Sequence, residues 1–312
     1  MTTIPAPGPH GGDGPRVAKA LGLRPEQVVD LSASLNPFAP DVAALAAPHL
    51  DSLGRYPDVE AAECLLADAV GVPGARLVLT AGGSQAIALV ADHLRRGWVE
   101  EPDFSLYRRH LSRVDVGALR WRSDPHNPTG RLATAGDVRV AVWDEAFLPL
   151  SAGTWTRGRP GWGLGSLTKA FACPGLRLGF AVAPDERAAT AVRRRRPAWA
   201  VGSLGCAVLP ELLARADLAG WTARIAAARA ELTQVLRAHG LVPLRSDAPW
   251  VLVAAAPEGL RAALARHAVV VRDCRSFGLP DHVRIAVPDA SGLERLDAAL
   301  ARVRDLGDHD RP

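Results

Sequence analysis

The spacing of apolar positions changes several times along the chain, and each change marks an element. From Val59 to Val70 they recur at helical spacing, and the short apolar run Leu77-Val78-Leu79-Thr80 that follows predicts a buried strand. The strand ends in Ala81-Gly82-Gly83-Ser84-Gln85, which opens a helical run from Ala86 to Arg95. Further strands are expected at Gly97–Glu100, Ala118–Arg122, Arg139–Trp143, Gly163–Ser166 and Phe180–Ala183. Strands alternating with helices predict an α/β fold with a mostly parallel, doubly wound sheet, whose ligands sit at strand ends and crossover loops.

The two ends of the chain read differently. Residues 1–14 are rich in Pro and Gly and read as a flexible arm, followed by a short helix near Pro15–Leu21 and an extended piece at Val28–Leu31. After Ala207 come two helices rich in Ala, Leu and Arg (Gly205–Arg215 and Leu218–His239), then a strand at Trp250–Ala254 and a helix at Glu258–His267. Strands at Val269–Arg272 and Val283–Val287 and a last helix near Ser291–Arg304 complete a smaller α+β domain. The expected division is an arm and extended segment over 1–45 that packs on the small domain, a large domain over 46–217, and the small domain over 218–312.

Composition narrows the class. With 312 residues, 48% hydrophobic and 22% charged, the chain can bury a substantial core and is not disordered. The net charge of +4 is modest, and the run Arg193 to Arg196 has no interleaved aromatics. That run reads as a solvated helix face, and no nucleic-acid partner is expected. Cys64, Cys173, Cys206 and Cys274 lie far apart with no C-x-x-C pair, so neither a metal site nor a disulfide framework is expected. No apolar stretch reaches signal-peptide or membrane-span length, which predicts a soluble, cytoplasmic protein with no membrane partner.

Only Lys19 and Lys169 are lysines among 37 basic residues. Unlike a guanidinium, the Lys169 amine can lose its proton and condense with an aldehyde, which points to pyridoxal phosphate (PLP) as cofactor. Ser166 and Arg177 flank it with a hydroxyl and a cation for the phosphate. PLP also needs a carboxylate on its ring nitrogen, a donor on its ring oxygen, a platform for its face and further phosphate donors. Asp144, just past an apolar strand, is the candidate carboxylate, and Glu145 should point the other way. Gly83, Ser84 and Gln85 would offer backbone N–H groups to the phosphate. Each residue also has a plain alternative: a strand-end acid for Asp144, a loop for Gly83 to Gln85. A serine-hydrolase reading of Ser84 fails because Gly82-Gly83-Ser84-Gln85-Ala86 lacks the second glycine of a nucleophile elbow.

Gly165-Ser166-Leu167-Thr168-Lys169 with Pro174-Gly175-Leu176-Arg177-Leu178-Gly179, together with Asn127-Pro128-Thr129-Gly130 and Asp144, resembles the class I/II aminotransferases, the fold-type I PLP enzymes. That resemblance implies that Asn127 donates to the ring oxygen and that Phe104 stacks on the ring, although a core phenylalanine is the alternative. It also implies that Tyr56, in Gly54-Arg55-Tyr56-Pro57, reaches a neighbour's cofactor across a homodimer. The segments His10-Gly11-Gly12-Asp13, Asp30 to Pro37 and Val271 to Leu279 are similar to those of threonine-phosphate decarboxylases of cobalamin biosynthesis. By that likeness His10, Asn36, Arg272 and Arg284 handle a substrate's phosphate and carboxylate, and the substrate is a small phosphorylated amino acid. Histidinol-phosphate aminotransferases share the central motifs, so transamination is the alternative reaction, and an inactive PLP-binding regulatory protein is the alternative of another class. Three departures stand out. Phe147 replaces a tyrosine that donates to the ring oxygen, which implies a higher pKa for the lysine–cofactor imine. The stretch Pro102–Asn127 is short, so an edge strand and its helix are expected to be missing. Trp199-Ala200-Val201-Gly202 departs from the decarboxylase pattern.

Overall fold

The computed structural model describes residues 3–309 and divides into two compact units. One comprises the residues up to Pro37, Pro128–Arg131 and those from Ala223; the other comprises Phe38–Asn127 and Leu132–Thr222.

Strand β1 (Val29–Asp30) belongs to the first unit. The second unit holds β2 (Leu77–Ala81), β3 (Arg96–Val99), β4 (Arg113–Val114), β5 (Arg120–Ser123), β6 (Val140–Asp144), β7 (Trp162–Ser166) and β8 (Leu178–Val182). They form one sheet in the order β2-β8-β7-β6-β5-β3-β4. Pairing is parallel except at β8, which is antiparallel to both β2 and β7. The link from β7 to β8 explains this exception: Leu167–Arg177 is shorter than the dozen or more residues that a parallel crossover needs. The unit has the α/β architecture with a mostly parallel sheet that the alternation of strands and helices predicts.

Local signals set the element ends. The helix Val59–Val70 starts where the Asp58 side chain accepts from Ala61 N at 3.1 Å, and it stops at Gly71, whose φ of 77° suits a residue without a Cβ. Helix Gly83–Leu94 follows β2 directly and packs Ala86, Ile87, Val90 and Ala91 into the core with Trp121, Val142 and Leu164.

The short stretch before Asn127 corrects one expectation: the edge strand is present. β4 is only two residues long and pairs with β3, and the helix Leu106–His110 precedes it. What is lost is the crossover to β5. Asp115 N bonds Gly97 O on one side of β3, and Trp98 N bonds Leu119 O on the other, so the chain changes sides within Asp115–Leu119.

The arginine run also departs from expectation. Arg193 and Arg196 do not face solvent freely but close the outer edge of the sheet. β2 is an edge strand, and such a strand exposes a row of unpaired backbone groups. Arg193 Nη2 donates to Leu77 O and Arg196 Nη1 to Leu79 O, both at 2.6 Å, while Leu79 N donates to Glu63 Oε1 at 3.0 Å. Glu63 is buried and ion-paired to both arginines, so one carboxylate holds the two plugs in place. Charge, not an aromatic pattern, determined this arrangement, which is why the linear run was uninformative.

In the first unit, β9 (Val242–Pro243), β10 (Trp250–Ala254), β11 (Val269–Val270), β12 (Arg272–Asp273) and β13 (Val283–Ala286) complete the strands. The single strand expected at Val269–Arg272 is two: β11 pairs with β1, whereas β12 joins the sheet β12-β13-β10-β9. The chain changes sheet at Val271. The N-terminal segment is zipped onto this unit. Gly12 N donates to Ser32 Oγ at 2.8 Å and Gly14 N to Asp30 Oδ2 at 2.9 Å. Gly11 packs so closely that a Cβ would lie 2.0 Å from Ser32 O. Arg261 adds bonds to Pro5 O and to Asp13 Oδ2, each at 3.0 Å.

Replacing Glu63 with alanine leaves two partly buried guanidinium groups and the Leu79 N–H without their acceptor. The expected loss is about 2–4 kcal/mol of unfolding free energy, measured by urea denaturation. A loss under about 0.5 kcal/mol, the size of an ordinary surface substitution, would contradict this role.

Candidate active site

Three parallel strands deliver the central residues of the second unit. β5 and β6 run in register with Ser123 opposite Asp144, and β6 and β7 with Asp144 opposite Leu164. All three strands therefore end at one edge of the sheet, the edge where open α/β sheets take up ligands. Asn127 follows β5, Asp144 closes β6, and Lys169 lies in the four-residue helix that starts as β7 ends.

Asp144 is partly exposed, yet protein surrounds its carboxyl. Burial raises its pKa to about 6, against hydrogen bonds that lower it. Those bonds come from Tyr107, whose hydroxyl donates to Oδ2 at 2.8 Å, and from Ala146 N, which donates to Oδ1 at 3.1 Å. Lys169 contributes a favourable charge and sits with Nζ 5.5 Å from the centre of the Phe147 ring. Glu145 points elsewhere, accepting from Arg157 N, as strand alternation predicts.

A second buried acid stands behind the first. Asp103 accepts from Ser123 Oγ at 2.6 Å, Phe104 N at 2.7 Å and Ser123 N at 3.1 Å, and burial raises its pKa to about 6 despite these bonds. Ser123 Oγ also accepts from Asn127 N at 2.8 Å. Phe104 is half-buried and meets Tyr107 edge-on, with centroids 5.8 Å apart.

The glycine turn forms a separate cradle. Gly82 has φ of 79°, and a Cβ there would lie 2.4 Å from Arg177 Nη2; one on Gly83 would touch Ser166 Cβ at 3.4 Å. Ser166 and Arg177 thus converge on the start of helix Gly83–Leu94, where the first N–H groups have no intrahelical acceptor. Gln85 N turns onto Gly82 O and its side chain onto Ala81 N, which leaves Gly83 and Ser84 as the N–H groups offered to an anion. Tyr56 is 77% exposed and packs on the exposed Trp199, with centroids 4.7 Å apart.

The first unit carries the other four candidates. Arg272 and Arg284 are register partners on β12 and β13, so both side chains leave the same face of the sheet. Both are buried; Arg284 lies over the Trp250 ring at 4.7 Å and Arg272 over Phe277 at 5.0 Å. Burial, and then the neighbouring Arg272, lower the Arg284 pKa to about 9. Arg272 Nη2 also holds Pro9 O at 2.8 Å, the carbonyl next to His10. Asn36 is buried and His10 half-buried.

Comparison with known proteins agrees with this geometry. The family model described as aminotransferase class I and II matches residues 121–302, more than half of the chain. The chain belongs to this family. It is 29% identical to a threonine-phosphate decarboxylase of Salmonella typhimurium, over 94% of this chain and 96% of that protein. It is equally identical, at 29%, to a histidinol-phosphate aminotransferase of Halobacterium salinarum, over 93% and 94% of the two chains. The crystal structure of the histidinol-phosphate aminotransferase from Sinorhizobium meliloti, a complex with pyridoxal 5'-phosphate, superposes with a TM-score of 0.82 at 19% identity, covering 97% of this chain and 96% of that one. The family depends on PLP, and PLP is the cofactor of this chain. The site suits it: a partly exposed acid at a strand end, a neighbouring amine, and a glycine cradle with a hydroxyl and a guanidinium.

Tyr107, Asp103 and Ser123 were not singled out from the sequence. Tyr107 left one trace, being one of only two tyrosines in the chain, three residues after Phe104. Asp103 and Ser123 left none, since their pairing spans strands.

Because burial raises both acids, ionising them costs the folded state. Their contribution to stability is full below about pH 4, where both are protonated folded or unfolded, and is lost as pH rises through about 6. Relative to an Asp103→Asn/Asp144→Asn variant, the cofactor-free protein is expected to lose on the order of 4–5 kcal/mol between pH 4 and pH 7, about half from each acid. A pH-independent difference in urea denaturation would contradict the burial of these groups.

Proposed function

We propose that the chain is an enzyme acting on a small phosphorylated amino acid, and that its reaction is a decarboxylation like that of threonine-phosphate decarboxylases. The observation that carries the substrate class is the buried pair Arg272 and Arg284. Two guanidinium groups side by side repel each other and lose hydration, a cost that an arriving dianion would offset. His10 and Asn36 would complete the anion site, as the threonine-phosphate decarboxylase likeness suggests.

In this reading Gly83, Ser84, Ser166 and Arg177 hold the cofactor's phosphate, Asn127 donates to its ring oxygen, and Phe104 covers its face. Gln85 braces the turn. Asp144 keeps the ring nitrogen protonated, and Lys169 is the amine that bonds the aldehyde. When bound, PLP supplies an electron sink for charge that develops at the substrate's α-carbon. The arginines then select the outcome. If they grip the phosphate, the carboxylate is left unclamped and departs as CO2. If one clamps the carboxylate, the α-proton leaves instead, with Lys169 as its base. The second course is transamination, which the histidinol-phosphate aminotransferase relatives favour. Tyr56, with exposed Leu50, Leu53 and Trp199 on the same unit, is proposed to serve a homodimer, and the protein is read as cytoplasmic.

Incubation of PLP-loaded protein with O-phospho-L-threonine, with and without a keto-acid acceptor, separates the readings. CO2 and 1-aminopropan-2-yl phosphate without an acceptor are expected; turnover only with acceptor would establish transamination, and no conversion would remove this substrate. Arg284→Ala is expected to lower kcat/KM by roughly 10²–10³-fold, as for loss of a buried charged contact. An unchanged kcat/KM would exclude Arg284 from substrate binding.

A further inference from the structure

Asp13 stands at the N-cap of the helix Gly14–Leu21, where an aspartate ordinarily accepts from the N–H groups of the first turn. Its carboxylate makes no such bond. Oδ2 turns back along the chain instead, accepting from Gly8 N at 3.1 Å and from Arg261 Nη2 at 3.0 Å, while Gly14 N donates to Asp30 Oδ2 at 2.9 Å. The stretch from Gly8 to Asp13 is thereby closed into a loop, with His10 inside it. The closure is tight, since a Cβ on Gly8 would lie 2.9 Å from Asp13 Oδ1.

Two arginines anchor this loop. Arg261, from the helix Leu260–Arg266, joins Asp13 to Pro5 O, and both members of the ion pair are buried. At the crest, Arg272 Nη2 donates to Pro9 O at 2.8 Å and to Ser276 Oγ at 3.0 Å. Arg272 Nε, also buried, has no hydrogen-bond partner among the described residues. Arg272 thus holds the carbonyl next to His10 and still has a donor to give.

We propose that Asp13 is a positioning residue for the anion site: paired with Arg261, it clasps the loop Gly8–Asp13 so that His10 is presented beside Arg272. The inference rests on the reading of His10, Arg272 and Arg284 as the groups that take a substrate's phosphate. Two features favour positioning over plain fastening. The chain after the loop is already fixed, by Gly12 N on Ser32 Oγ and Gly14 N on Asp30 Oδ2, so what the clasp adds lies upstream, around His10. A buried ion pair also contributes little net stability, because lost hydration offsets the attraction, whereas it does hold one conformation. The benefit of a held loop falls on binding: a donor that is already ordered costs less to engage than one that must be ordered when the ligand arrives. Arg261 has a second use there, since it offsets the charge of a carboxylate that is felt at Arg272 and would otherwise oppose an anion.

Titration of PLP-loaded protein with inorganic phosphate, followed by calorimetry, tests this. With the cofactor in place its own phosphate cradle is filled, and added phosphate reads the arginine site. Asp13→Asn is expected to weaken phosphate binding about 10-fold and to leave the visible absorbance of the bound cofactor unchanged. Should that variant not fold, Asp13→Ala/Arg261→Leu removes the clasp without leaving an unpaired buried charge, and the same loss is expected. In a double-mutant cycle His10→Ala is expected to cost about as much, and Asp13→Asn/His10→Ala little more than either alone. A fastening role alone would lower the unfolding temperature and leave phosphate affinity as it is, which would overturn the proposal. Additive losses would show that Asp13 does not act through His10 and would overturn it as well. Wild-type protein that binds no phosphate would remove the anion site itself, and the clasp's role with it; that failure shows in the parent protein and so differs from an unchanged affinity in Asp13→Asn.

Discussion

A charged carboxylate held at a strand end, partly open and otherwise enclosed, is the interaction that the second unit is arranged to support. An ionised acid removed from water is costly unless hydrogen bonds and a nearby cation offset the loss. Asp144 has all three supports: the Tyr107 hydroxyl, the Ala146 N–H and the field of Lys169. Each comes from a different piece of the chain, the helix Leu106–His110, the turn after β6 and the helix after β7. Parallel register makes the convergence possible, because β5, β6 and β7 all end at the same edge.

The first unit solves a complementary problem with opposite charge. Arg272 and Arg284 emerge from paired positions and lie against Phe277 and Trp250, whose ring faces offset part of the lost hydration. The N-terminal segment is fastened beside them by Ser32, Asp30, Arg261 and Arg272 itself. Such a pair has little value for stability, which is why it is proposed as an anion site. The same accounting explains Glu63, where two arginines are admitted to the sheet edge because one acid serves both.

Much of this was legible in the residue order. The helix Val59–Val70 and the strand Trp250–Ala254 appear at the residues their periodicity marks, because both are bounded by strong local signals or bury a continuous apolar run. Lys169, Asp144 and Asn127 stood out because rare residue types or short motifs carry them. What escaped depends on partners remote in sequence. β4 is two residues long and exists only as a partner of β3, so no periodicity could reveal it. The helix Glu186–Arg193 went unread although Asp185 caps it, and the division between β11 and β12 follows from a change of sheet. The bond from Ser123 Oγ to Asp103 joins residues 20 positions apart, which gives them no common motif.

The most direct measurement is borohydride reduction of the protein after PLP treatment, followed by peptide mass spectrometry. A visible absorbance band that bleaches on reduction, with a phosphopyridoxyl mass on Lys169 alone, is the predicted result. Protein that stays colourless, or a tag on Lys19 with Lys169 unmodified, would contradict the assignment of this strand-end edge as the cofactor site.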